Sequence, residues 1–326
     1  MLNLPDAPPG YEPLRCDVPW DSAYLALEEP EERVLLADLG PDAAGPTALS
    51  PLAITSPFRL LTEEGAALLG AICRELERYA SGDNRIAKRA RGGVYRSAFL
   101  RGLASDPDLL AFVRRVTEAP VEPHPIAHHA IHVNYAPEEL GRNVDQWHLD
   151  AVSFDYVLMA SDPARLRGGR FEWYAGPAEE GAALLSAGEP LPPERVRSVE
   201  FPGAGWAVVQ QGHRILHRAA WLEEPGERIT VVGSFWTPDP VLDDPTEIRS
   251  LRGADGNDIA VVEWARYAAL VTARRLERFA EEEARFARSR EDLQADLRAS
   301  IAAIEAAVDE LGRDEEGALM SFGDGS

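Results

Sequence analysis

At 326 residues, with 45% apolar and 27% charged side chains, the chain can bury a full core and is not globally disordered. A net charge of −22 opposes a phosphate backbone, so duplex DNA or RNA is not an expected partner. No apolar run reaches bilayer-spanning length, and Met1-Leu2-Asn3-Leu4-Pro5-Asp6 lacks the basic-then-apolar order of a secretory signal, so a cytoplasmic protein that does not engage membranes is expected. Lys88 is the only lysine, which leaves no lysine elsewhere for a Schiff base or a phosphate loop. Cys16 and Cys73 are far apart and read as ordinary thiols in a reducing compartment.

In chain order, residues 1–50 are proline-rich and weakly periodic. They predict an irregular N-terminal strap with one short helix near Ser22 to Glu29. Leu52 to Leu61 predicts a strand. Thr62 is a candidate N-cap for a helix whose Leu68, Leu69, Ile72 and Leu76 share one face. Residues 82–101 predict a Gly- and Arg-rich loop, and Asp106 or Pro107 starts another helix. From Ile126 to Trp236 the chain breaks into short apolar segments punctuated by Gly, Pro and Asn, the spacing of a sandwich or barrel. These segments are Ile126 to Tyr135, Phe154 to Ala160, Gly169 to Tyr174, Gly205 to Gln211, Ile215 to Trp221 and Ile229 to Trp236. Asp258 can cap a helix. Ser289-Arg290-Glu291-Asp292 has the form of a capping box opening a second one, with Leu293, Leu297, Ile301, Ile304, Val308 and Leu311 as a stripe. The organisation expected is therefore a strap (1–50), a catalytic domain (51–245, core 125–236), a C-terminal helical hairpin (256–314) that packs on the barrel or pairs two copies as a homodimer, and a flexible tail (315–326).

All seven histidines fall between His124 and His217, inside the strand-rich region. His148-Leu149-Asp150 places an imidazole and a carboxylate two residues apart, on the same face of a strand, where both can hold one metal. His217 follows an apolar strand, and Arg228 returns across the turn Glu223-Glu224-Pro225-Gly226-Glu227. Two histidines and one carboxylate leave open coordination positions on iron. A buried arginine needs an anion partner, and a dicarboxylate gripped by two hydrogen bonds would serve. Thr230 shares the face of Arg228. His213, four residues before His217, is an alternative ligand on the same strand face.

Residues about 125–236 resemble the double-stranded β-helix core of the Fe(II)/2-oxoglutarate-dependent oxygenases, of the prolyl- and phytanoyl-hydroxylase kind. The family's H-x-D, later His, and R-x-S stand here as His148-Leu149-Asp150, His217 and Arg228-Ile229-Thr230, with Thr in place of Ser. Asn134-Tyr135-Ala136-Pro137 resembles the strand that often contacts 2-oxoglutarate, Gly168-Gly169-Arg170-Phe171 the family's turn into a strand, and Phe201 to Gly205 the loop before the distal histidine. The resemblance implies a mainly β (α+β) fold, a jelly-roll or cupin-like core with N-terminal helices and a C-terminal helical hairpin. It implies His148, Asp150 and His217 as ligands of Fe(II). It implies Arg228, Thr230, Tyr135 and Asn134 as contacts of 2-oxoglutarate, and O2 as the oxidant. It also selects His217 over His213 by the spacing to Arg228. The activity implied is hydroxylation of a C–H bond with release of succinate and CO2. A small molecule such as an amino acid or natural-product intermediate is the expected substrate. A protein hydroxylase, a non-catalytic cupin-like binding protein and a dimerising scaffold are the alternatives.

Four further residues are candidates for contacting substrate. Arg96 lies in the one basic island, Arg85 to Arg101, with Tyr95 and Phe99 beside it, and that island reads either as a solvated loop or as a lid that recognises an anion. His132 lies on a predicted strand. Trp147 and Trp173 lie close in sequence to the presumed ligands.

Overall fold

The structure is a computed structural model that describes residues 4–40, 43–45, 48–238, 244–281, 287–313 and 316–323. In chain order, β1 (Arg33–Leu35) leads through a single turn, α1 (Leu36–Leu39), into β2 (Leu52–Thr55) and β3 (Phe58–Arg59). Then come α2 (Glu63–Leu76), β4 (Arg89–Ala90), α3 (Ala98–Ser105), α4 (Pro107–Thr117), β5 (Glu122–Pro123), α5 (Ala127–Ala130) and β6 (Ile131–Tyr135). The central strands are β7 (Asn143–His148), β8 (Phe154–Met159) and β9 (Phe171–Tyr174). They are followed by α6 (Ala178–Ser186), β10 (Val196–Val199), β11 (Trp206–Gln210), β12 (His217–Trp221) and β13 (Ile229–Trp236). Three helices close the chain: α7 (Ile248–Asp255), α8 (Asn257–Glu281) and α9 (Arg290–Leu311).

The strands form two antiparallel sheets. The larger runs β1-β2-β11-β8-β13-β6-β4, with β3 on β11 and β5 on β13; the smaller runs β10-β9-β12-β7. Strand alternation assigns the layers. On β8, Tyr156 and Leu158 point into a core shared with α2, α3 and α4, while Val157 points into a second core shared with Phe171 and Trp173 of the small sheet. β8 is therefore covered on both faces and reads as a continuous apolar run, interrupted only by Asp155. Each of Phe58, Phe99 and Phe112 is almost fully buried in the helical layer and contributes on the order of 1.5–3 kcal/mol by area. On the outer face of the small sheet, Trp147, Tyr174 and Leu216 pack with Leu185 of α6.

Local signals explain the helix starts. Thr62 accepts from Gly65 N–H, Asp106 accepts from Asp108 and Leu109 N–H with Pro107 at the first helical position, and Ser289 and Asp292 complete the capping box of α9. Elsewhere the sequence reading is corrected. Pro57 splits the strand expected over Leu52 to Leu61. The helix near Ser22 to Glu29 is one 3-10 turn, Ser22–Tyr24. The last four residues of the expected loop, 98–101, belong to α3 (Ala98–Ser105). Ala127–Ala130 is a helical turn where a strand was expected. β4, β5, β7, β10, α6 and α7 are not among the elements expected from sequence. The strap carries β1 and α1 and is not wholly irregular. On α9, the small residues Ser300 and Ala307 are the buried ones, and Leu297, Ile301, Ile304 and Val308 of the stripe stay exposed.

The tail is not frayed over residues 316–323. Leu319 N–H donates to Asn84 Oδ1 while Asn84 Nδ2 donates to Leu319 O, and Phe322 N–H donates to Trp147 O at the edge of β7. Residues 315 and 324–326 of the expected tail lie outside the described residues. Among the described residues no helix is long and apolar enough to cross a membrane.

Candidate metal centre and anion pocket

His148 ends β7 and His217 opens β12, and the two residues face each other in register across the small sheet. Their rings lie 4.1 Å apart, centroid to centroid. Each Nδ1 meets a backbone carbonyl, His148 with Gln146 O at 2.6 Å and His217 with Ile215 O at 2.9 Å. A carbonyl only accepts, so both Nδ1 atoms donate, which turns both Nε2 atoms towards Asp150. Asp150 sits two residues past β7, held by its N–H on Gly212 O. Its carboxylate lies 3.3 Å from His148 Nε2 and 3.2 Å from His217 Nε2. A Cβ on Gly212 would fall 2.1 Å from Asp150 Oδ2, so only glycine lets the carboxylate stand there. One ligand atom from each of the three residues lies within 4.8 Å of the others, the spacing of a metal site.

Buried charge sets the protonation. Burial pushes the Asp150 carboxyl up, but the adjoining His217 and His148 outweigh it and hold it well below the usual carboxylate range. Burial, then the Arg85 charge, pushes His148 down; for His217 the pull of Asp150 overcomes burial and raises it. Asp155, fully buried on β8, is pushed well above its ordinary value by burial and then by the Asp150 charge. The Gln210 amide ties the group together. Its Nε2 lies 3.0 Å from Asp155 Oδ1, 3.4 Å from Asp150 Oδ2 and 3.2 Å from His217 Nε2.

A bulge in β7 sets two residues steps on β12 against three on β7, since His217 pairs with His148 and Ala219 with Asp145. Asp145 and His148 therefore share a face despite an odd spacing. Asp145 in turn holds the buried Arg85 at 2.9 Å.

Arg228 lies at the start of β13, 2% exposed. Its Nε donates to Gly169 O at 2.7 Å and its Nη1 to Thr230 Oγ1 at 3.2 Å. A Cβ on Gly169 would meet Arg228 Cδ at 3.0 Å, and the residue's φ of +66° suits glycine alone. Among the described residues no carboxylate forms an ion pair with Arg228, and burial pushes its guanidinium down to about 10. Asn134, in register with Thr230, has its Oδ1 buried without a hydrogen-bond partner. A pocket of about 40 Å³ runs between the sheets from Arg228, Thr230 and Asn134 to the His148–Asp150–His217 group, with Val157 and Phe171 among its walls. A buried cation and an orphaned amide oxygen at one end, and two imidazole Nε2 atoms converging with a carboxylate at the other, fit a metal chelated by an anionic small molecule.

Of the residues singled out from sequence, the pocket gathers His148, Asp150, His217, Arg228, Thr230, Asn134 and His132. Four others lie elsewhere. Tyr135 alternates with Asn134, points to the opposite face and donates its hydroxyl to Cys73 O. Trp147 alternates with His148 and packs outward. Trp173 fills the core between the sheets. Arg96 stacks on Tyr79 and Tyr11 and donates to the carbonyls of Gly10 and Glu12, so it pins the strap. His213 lies outside the three-residue group, with its Nδ1 on Ser153 O. Gln210, Asp155 and Asp145 are parts of the site that the sequence did not single out, and Arg85 was named only within the basic island. The signal for Asp155 was a charge inside an apolar strand.

No protein-family model matches the chain, and no curated protein matches it. Among solved structures the chain is similar to several, of which three follow. One is the non-haem α-ketoglutarate-dependent carbocyclase SnoK of nogalamycin biosynthesis, at 13% identity and a TM-score of 0.41 over 64% of this chain and 88% of that one. Another is HygX from Streptomyces hygroscopicus with nickel and 2-oxoglutarate bound, at 15% and 0.41 over 61% and 87%. A third is a Pseudomonas putida prolyl-4-hydroxylase, at 18% and 0.40 over 63% and 99%.

Proposed function

We propose that the chain is a non-haem Fe(II)- and 2-oxoglutarate-dependent oxygenase that hydroxylates a small molecule, and that its two sheets form a double-stranded β-helix. The observation that carries this reading is the pairing of a two-histidine, one-carboxylate group with a buried arginine that has no carboxylate partner among the described residues, at opposite ends of one pocket. His148 Nε2, His217 Nε2 and Asp150 would hold the iron. Bound with 2-oxoglutarate and O2, iron(II) supplies oxidative decarboxylation to succinate and CO2 coupled to oxidation of a substrate C–H bond.

The chain's own residues do the rest. The backbone carbonyls of Gln146 and Ile215 fix the imidazole tautomers. Arg228 binds and orients the far carboxylate of 2-oxoglutarate, with Thr230 and Asn134 beside it. Val157, Phe171 and Val232 keep the pocket dry, which strengthens that ion pair. Leu319 and Met320 wall the adjoining cavity, which favours a small molecule over a polypeptide lying in an open groove.

The test is succinate release against 2-oxoglutarate concentration. Arg228→Gln is expected to raise the KM for 2-oxoglutarate by about 10–100-fold, the cost of one charged hydrogen-bonding anchor, while Fe(II) affinity stays near wild type. An unchanged KM would sink the assignment of Arg228.

A further inference from the structure

A cavity of about 250 Å³ adjoins the metal group, sharing Arg85, His132, Asp150 and Val232 with the inner pocket. Arg85, Arg89 and Arg91 all line it, and Arg85 and Arg89 are each less than 10% exposed. Their carboxylate partners stand behind them. Arg85 pairs with Asp145, Arg89 with Asp83, and Arg91 binds Asp255 through two bonds of 2.7 Å, yet none of these acids lines the cavity. The Arg89 pair engages one N–H donor of five and the Arg91 pair two. Of the acids on the cavity wall, Asp150 belongs to the metal group and Glu247 accepts from Ser250 Oγ. Nδ1 of His129 and Nδ1 of His132, on the same wall, are buried without a hydrogen-bond partner, a cost that a ligand would remove. Burial and then the arginine charges push both imidazoles well below their ordinary value, so they stay neutral in a positive field. Three guanidiniums and two carboxylates thus line one cavity in a chain of net charge −22.

We propose that this cavity is the primary-substrate site and that it selects an anionic small molecule, whose carboxylate or phosphate seats against Arg89 and Arg91 with the carbon to be oxidised towards His148, Asp150 and His217. The choice of reacting carbon rests on the iron reading; the anion selectivity does not.

The test is isothermal titration of the full chain, anaerobic, with and without Fe(II), in saturating 2-oxoglutarate. Three probes of similar size are compared: phenylacetate, phenyl phosphate and the neutral phenylacetamide. The anions are expected to bind at least about tenfold more tightly than the amide. That preference should vanish in the paired variants Arg89→Gln/Asp83→Asn and Arg91→Gln/Asp255→Asn, which remove each guanidinium together with the acid it neutralises. It should survive in Arg228→Gln. The order of the two anions separates a carboxylate from a phosphate substrate. Equal affinity for anions and amide, no binding of any probe, or a preference that tracks Arg228 and not Arg89 or Arg91 would each overturn the proposal. The wild-type comparison needs no variant to fold. Failure of the iron reading is read separately, as no Fe(II) binding with the anion preference intact.

Discussion

At the scale of single residues, the site is governed by which polar atoms have partners. Gln210 touches Asp150, Asp155 and His217 at once, so it orients two of the three metal-facing groups. Gln210→Leu is expected to weaken Fe(II) binding by about 10–100-fold in a titration, with the fold intact by circular dichroism. Gly212→Ala should do the same by another route, because the new methyl occupies the place of Asp150 Oδ2. Normal metal affinity in Gly212→Ala would show that Asp150 is not held where the structure puts it. His124 bears on stability instead. Its Nδ1 accepts from Ile126 N–H and its Nε2 meets Thr246, and burial, then Arg91, pushes its imidazole from 6.5 down to about 3. The unfolded chain takes up a proton below 6.5 that the folded chain refuses until about pH 3, so stability is full above 6.5 and falls as pH drops through that window. Thermal melts at neutral and at mildly acid pH should show this loss, and His124→Gln should lessen it. A His124→Gln protein with the wild-type slope would remove His124 as its source.

Much of the residue scale was readable beforehand, for a physical reason. Spacing by two suggested that His148 would meet Asp150 and Arg228 would meet Thr230, and both pairs do meet, although Asp150 lies just past β7 and Arg228 just before β13. The same rule, applied throughout, would have removed Trp147 and Tyr135, which alternate with His148 and Asn134. Asp145 was beyond that rule, because the bulge in β7 breaks the period. Arg96 misled because its partners, Tyr11 and Tyr79, are distant in sequence.

At the scale of elements, strands with apolar alternation were found and polar ones were not. β13 was read with its observed bounds, Ile229–Trp236. β7, written Asn-Val-Asp-Gln-Trp-His, carries too many functional polar groups to look like a strand, and β10, Val-Arg-Ser-Val, is an edge with little buried surface. The basic island shows how tertiary context overrides composition. Its arginines are not solvated: Arg85, Arg89 and Arg91 line a cavity, Arg101 binds the carbonyls of Leu4 and Pro5, and Arg96 clamps the strap.

For the whole molecule, the layers explain why the site lies where it does. Helices α2, α3 and α4 cover one face of the large sheet, the small sheet covers the other, and the polar groups gather in the gap between the sheets. The C-terminal segment 316–323 walls the cavity with Leu319 and Met320 and is tied to β7 by Phe322 N–H on Trp147 O. Deleting residues 316–326 is expected to lower stability by about 1–3 kcal/mol, seen as a melting temperature lower by several degrees, with Fe(II) affinity unchanged. A loss of metal affinity without a change in melting would place the C-terminal segment in the metal site, contrary to the structure.

The most direct test of the central claim is anaerobic visible absorption while Fe(II) and then 2-oxoglutarate are added to wild type, His217→Ala and Arg228→Ala. The account predicts a charge-transfer band in wild type that is lost in His217→Ala and weakened in Arg228→Ala. A folded, metal-loaded wild type with no band would contradict it and leave a binding protein built on the same sheets.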